Sequence, residues 1–146
     1  MERINYTHIK NDPLTDIHYF MDEKIVVSIL KREAPIDYEN ALANYKLIYE
    51  VSNAEEIVVL FDGRNLNFEY IPKEVLSCMA NNEYNRKFKK FAIIYSGLPQ
   101  KLMAGLFTTL HKPHFSTKLF SNVNEAFKWL GTSNAQSIIE KTGITL

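Results

Sequence analysis

The sequence predicts an α/β domain: a mixed sheet of about five strands, an antiparallel hairpin followed by parallel βα units, with four to five helices. Three observations carry that prediction. Ile57 to Phe61 (IVVLF) is an unbroken apolar run rich in β-branched residues, the pattern of a strand covered on both faces in a parallel sheet. Leu14 to Met21 and Ile25 to Leu30 are two strand-like runs on either side of the polar turn Asp22-Glu23-Lys24, which reads as a hairpin. Between the hairpin and the central run, apolar residues recur at helical spacing, long enough to return the chain to a parallel strand by a right-handed crossover.

Taken in order, residues 1–13 are mostly polar, end in the turn formers Asn11-Asp12-Pro13, and read as a loose lead-in. In the first strand Ile17, Tyr19 and Met21 share one face and His18 and Phe20 the other. The second strand, IVVSIL, is apolar on both faces and belongs inside the sheet. Tyr38 to Val51 follows as an amphipathic helix with Ala41, Leu42, Tyr45, Ile48 and Tyr49 on its stripe. After the central strand, Asp62-Gly63-Arg64-Asn65 breaks the run, and a helix begins near Pro72 with Val75, Leu76, Met79 and Ala80 buried. Cys78, beside that stripe, reads as a small buried filler.

Arg86 to Lys90 is a basic run that reads as a solvated approach to the next strand, Phe91 to Tyr95, which ends at Ser96-Gly97. Leu98 to Leu110 is a further helix, and its apolar face (Leu102, Met103, Leu106, Phe107, Leu110) is wider than a sheet-facing helix needs. The excess implies burial on two sides or a partner surface. A fifth short strand, Ser116 to Phe120, leads to a helix with Asn122 at its cap, Glu125 in capping-box position and Gly131 at its end. A last short helix spans Ala135 to Lys141. The expected division is therefore a lead-in at 1–13, a domain at 14–131, and a C-terminal helix and tail at 132–146.

With 146 residues, 46% of them hydrophobic, one domain can bury its own core without disulfides. The lone Cys78 forms no bridge and no multi-cysteine metal site, which suits a reducing cytoplasm. No apolar run reaches signal-peptide or membrane-span length, so the chain is expected to be cytoplasmic. Zero formal net charge argues against a general nucleic-acid binder. The charge is uneven, however: residues 1–73 hold 13 Asp/Glu against 8 Lys/Arg, and residues 74–146 hold 4 against 9.

Strand order, the central VVLFDGRN, the strand KKFAIIYSG and the closing HKPHFSTKLFSNVNEAFKWL together resemble the STAS domain, the SpoIIAA-like fold of anti-sigma-factor antagonists. The chain looks closest to small bacterial STAS-like proteins of unknown function, often grouped with CRAL-TRIO lipid-transfer domains. The resemblance covers roughly Leu14 to Leu130. It implies a compact domain with no cofactor and no catalysis, which meets a protein partner around the loop after the central strand. In switching members the helix that follows that loop carries a phosphorylatable Ser or Thr near its start. Here Asn65 to Pro72 has no Ser or Thr, so the switch is not carried over.

In open α/β sheets ligands and partners are met at the carboxyl ends of the strands. The candidate binding residues are therefore Asp62, Gly63, Arg64, Asn65, Phe68 and Tyr70 after the central strand, with Ser96 and Gly97 at the end of its neighbour. Asp62 and Arg64 either face a partner or pair with each other. No catalytic residue is assigned: Ser96 lacks a G-x-S-x-G setting and a histidine base. No metal site is assigned either, because Pro113 separates His111 from His114, and His8 and His18 stand alone. The expectation is a non-catalytic, cofactor-free regulatory or protein-interaction module, binding another protein or itself as a homodimer. The alternative is a carrier or sensor for a small apolar or anionic ligand. A closed, lined pocket favours the carrier, and an exposed apolar patch above about 400 Å² favours the interaction module.

Overall fold

The structure, a computed structural model, describes residues 5–66 and 71–146. Its strands are β1 (Tyr6–Ile9), β2 (Thr15–Phe20), β3 (Ile25–Leu30), β4 (Ile57–Asp62), β5 (Phe88–Ile94) and β6 (Ser116–Phe120). The helices are α1 (Tyr38–Val51), α2 (Lys73–Ala80), α3 (Leu98–Leu110), α4 (Val123–Leu130) and α5 (Ala135–Thr142). The six strands lie side by side in sequence order. β1, β2 and β3 are antiparallel, and β3 to β6 are parallel.

That order dictates where the helices go. Three successive right-handed crossovers that all step the same way across a sheet must lie on the same face. Accordingly α1, α2 and α3 share one core with Ile17, Tyr19, Val26, Val59 and Phe91. The opposite face, with Phe20, Ile25, Val27, Leu60 and Ile94, would be left in water after β6. α4 and α5 cover it, burying Phe127, Leu130, Ile138 and Ile139. Ile144, beyond α5, is buried there as well, so the end of the chain is part of the second core.

Several local expectations hold in detail. Asn122 accepts a hydrogen bond from the Glu125 backbone N–H at 3.0 Å and caps α4. Asp37, not read as a cap from the sequence, caps α1 in the same way through the Asn40 backbone N–H at 2.8 Å. Pro72 stands at the N-cap of α2, and Cys78 is buried, with its thiol pKa raised by desolvation. Asn134, at the N-cap of α5, makes no side-chain cap hydrogen bond, and its amide donates to Glu23 at 3.1 Å.

The sheet has one strand more than expected. β1 lies inside the stretch read as a lead-in, where Tyr6, Thr7, His8 and Ile9 pair with Phe20, Tyr19, His18 and Ile17. β5 also begins earlier, at Phe88, whose ring is buried between Tyr45, Phe91 and Phe115 while Lys89 points to solvent. Lys90 turns inward, donating to the Trp129 carbonyl at 2.8 Å with its ammonium 5.1 Å from the Trp129 ring centroid.

A buried polar cluster ties the lead-in to α1. The Asp12 carboxylate accepts from the backbone of Leu14 and Thr15 and from the Asn44 amide, and Asn44 also reaches Thr15. Each of these groups would be costly to bury alone, and together they satisfy one another.

Candidate functional site

The carboxyl ends of β4 and β5 form one platform. Asp62 ends β4 almost fully buried, and its carboxylate accepts the Arg64 guanidinium through both oxygens at 2.9 Å, as well as the Arg64 backbone N–H at 3.1 Å. This bidentate fork is the strong form of the pair, and the hydrogen bond to Asp62 raises the Arg64 pKa further. Arg64 also donates to the Thr145 carbonyl at 2.5 Å, which fastens the chain end to the loop. Of the two roles open to these residues, pairing is what the geometry displays.

The other candidates are held by the same platform. Gly63 donates its N–H to the Ile94 carbonyl at 3.0 Å, and a Cβ there would meet the Phe61 ring at 3.1 Å. Glycine at 63 therefore serves a close approach by the chain itself. Asn65 donates to the Leu30 carbonyl at 2.8 Å, linking the loop to β3. Gly97 sits at the N-cap of α3 with φ of 81°, a left-handed conformation that favours glycine.

Gln100, missed from the sequence, joins the two loops. Its carbonyl accepts from the Ser96 N–H at 2.7 Å, and its amide donates to the carbonyls of Arg64 and Leu66 at 3.0 Å each. No local pattern announces such a residue; only its burial on an otherwise apolar helix face could have hinted at it. Phe68 and Tyr70 lie outside the described residues. The structure thus brings Asp62, Gly63, Arg64, Asn65, Ser96 and Gly97 together, and engages their polar side chains and backbone mostly with the protein.

What the platform leaves free is the face of α3 beside it. Leu98, Leu102, Leu106 and Leu110 are 66%, 61%, 47% and 68% exposed, although Phe107 on the opposite face is buried. Four positions spaced by four residues make one stripe along a helix roughly 20 Å long. Between α2 and α3 the stripe borders an open groove of about 700 Å³, lined by Ile71, Lys73, Leu76, Met103, Leu106 and Leu110. The cavities beneath the helices are far smaller. One of about 70 Å³ is lined by Leu14, Tyr45, Ile48, Val59 and Phe91 among others, and one of about 60 Å³ lies nearer α3.

A second cluster, at the β1–β2 edge, was not foreseen. His8 and His18 stand opposite each other in register, their rings stacked with centroids 4.0 Å apart. His18 and the Tyr6 hydroxyl share a hydrogen bond of 2.6 Å, and His8 lies 3.4 Å from Asp16. Burial, and secondarily the His8 charge, push the His18 pKa down to about 4. Among the described residues no group of three or more His, Cys, Asp or Glu side chains is placed to hold a metal ion. No described helix is long and apolar enough to cross a membrane.

Comparison with known proteins agrees with this architecture. The structure matches a crystal structure of an uncharacterised DUF3478-family protein with a SpoIIAA-like fold from Shewanella loihica PV-4, with a TM-score of 0.57 and 18% sequence identity, covering 89% of this chain and 98% of that one. The likeness bears out the SpoIIAA-like fold read from the sequence; it does not bear on a lipid-transfer relationship. No curated protein matches the chain. The family model described as a domain of unknown function, DUF7793, matches residues 19–134, from within β2 to the start of α5, and the chain belongs to that family.

Proposed function

We propose that this protein is a non-catalytic binding module that meets a protein partner through the exposed face of α3 and the adjoining groove to α2, beside the platform at the ends of β4 and β5. The observation that carries this reading is the leucine stripe. Burying one leucine removes apolar surface worth about 1.5–3 kcal/mol, and four of them remain in water on one helix. Together they present on the order of 400 Å² of apolar surface, the size of the largest apolar patch on a typical monomer, which is often functional. The platform supports this use: the Asp62–Arg64 fork and the Gln100 bridge hold the start of α3 rigidly against the sheet.

The carrier reading asks for an interior pocket. Small-molecule pockets run to about 300–1,000 Å³. Among the described residues, cavities of about 70 and 60 Å³ lie beneath the helices, too small for a lipid-like molecule, and the larger groove opens along the surface of α3. The position of the larger space, open along α3 beside the leucine stripe, supports surface docking.

Affinity capture from cells that produce the protein tests the proposal. Wild-type bait is expected to retain a stoichiometric protein that the double variant L102E/L106E, altered at exposed positions and therefore still folded, releases. Identical capture by the two baits would remove α3 from the binding face.

A further inference from the structure

We propose that the occupant of the α3 face is a second copy of this chain, docked by an antiparallel α3–α3 pairing about a two-fold axis. This rests on the reading of α3 as the binding face and names its partner. A two-fold interface uses the same patch on both copies, so it requires a surface complementary to itself. Leu98, Leu102, Leu106 and Leu110 are placed symmetrically about the helix midpoint at Ala104. An antiparallel copy therefore sets Leu98 against Leu110 and Leu102 against Leu106, while Ala104, on the far side of the helix, packs against the protein's own core.

Charge permits the pairing. α3 carries a single charged residue in 13, Lys101, at the margin of the stripe. Lys73 and His111 line the groove edge, where rim charges stay hydrated and cost little. The chain as a whole has zero formal net charge, so two copies feel no overall repulsion.

The area is that of a small interface. The two leucine stripes remove on the order of 800 Å² from water, and the flanking Pro99, Met103 and Thr109 with the rim of the α2 groove extend this toward the roughly 1,200–2,000 Å² of a stable interface.

Sedimentation equilibrium at about 1 to 100 µM, with the fold monitored by circular dichroism, tests the proposal. The wild type is expected to reach twice the monomer mass, while L102E and L106K each stay monomeric with unchanged circular dichroism. An equimolar mixture of L102E and L106K, which sets opposite charges face to face, is expected to recover the dimer. A wild-type monomer throughout, a dimer that survives both substitutions, or a mixture that stays monomeric would each overturn the antiparallel pairing. A wild-type monomer whose captured partner is lost in L102E/L106E would overturn self-association and leave the binding face standing. A monomer that floats with phosphatidylglycerol vesicles would instead assign the face to an anionic lipid surface.

Discussion

Replacing Arg64 by alanine is expected to lower folding stability by about 2–4 kcal/mol, the upper range being the cost of stripping one partner from a buried ion pair. Asp62 is 6% exposed, and without the guanidinium its carboxylate keeps only the Arg64 backbone N–H among the hydrogen bonds described for it. The loss also frees the Thr145 carbonyl and loosens the chain end from the platform. Urea midpoints measure the effect. R64K is expected to recover part of it, since lysine supplies a charge but not the two-pronged fork. D62N/R64A is expected to be more stable than R64A alone, because much of the cost is the uncompensated carboxylate. A loss below about 0.5 kcal/mol in R64A would mean that Arg64 behaves as an ordinary surface residue and is free for a partner.

Acidification is expected to cost the fold on the order of 1–2 kcal/mol through His18 and the His8 ring stacked on it, the full shift being reduced by solvent screening. Its pKa is pushed down to about 4 in the folded protein, below the ordinary value of 6.5. Between those two pH values the unfolded chain binds a proton that the folded chain refuses. Stability from this group is therefore complete above pH 6.5 and is lost as pH falls toward 4. The cause is local: His18 is buried, shares a hydrogen bond with Tyr6, and has the His8 ring stacked on it at 4.0 Å. H18F removes the titrating group and keeps an aromatic in the stack, so its urea midpoint is expected to change less than the wild type's between pH 7 and 5. Equal slopes in the two proteins would show that other groups carry the acid sensitivity.

What the sequence made legible was whatever it encodes locally. The IVVLF run, the 3.6-residue stripe of α1, the Asn122 cap and the Gly131 stop each announce themselves within a few residues, and the structure has them all. β1 escaped because it is four residues long, half-buried and at the sheet edge, with no apolar run to mark it; only its pairing with β2 makes it a strand. The same holds for His8 and His18. Ten residues apart, they looked isolated, and the hairpin register stacks them.

At the site, Asp62, Gly63, Arg64 and Asn65 were found from their place at a strand end. The Asp62–Arg64 pair was one of the two roles read for them, but the bonds to Leu30, Ile94 and Thr145 were not legible, because those residues reach the site across the fold. The excess apolar face of α3 was legible from its periodicity alone. Which of its leucines face water became clear only once the sheet had claimed Phe107 and Gln100 on the opposite side.

We propose binding at the α3 surface with no small molecule carried in the interior. Native mass spectrometry of the purified protein, repeated after denaturation, tests it most directly. Masses of the polypeptide alone are expected, as one or two copies, with nothing further released on denaturation. A small molecule retained in the native spectrum and lost on denaturation would contradict it and establish the protein as a carrier.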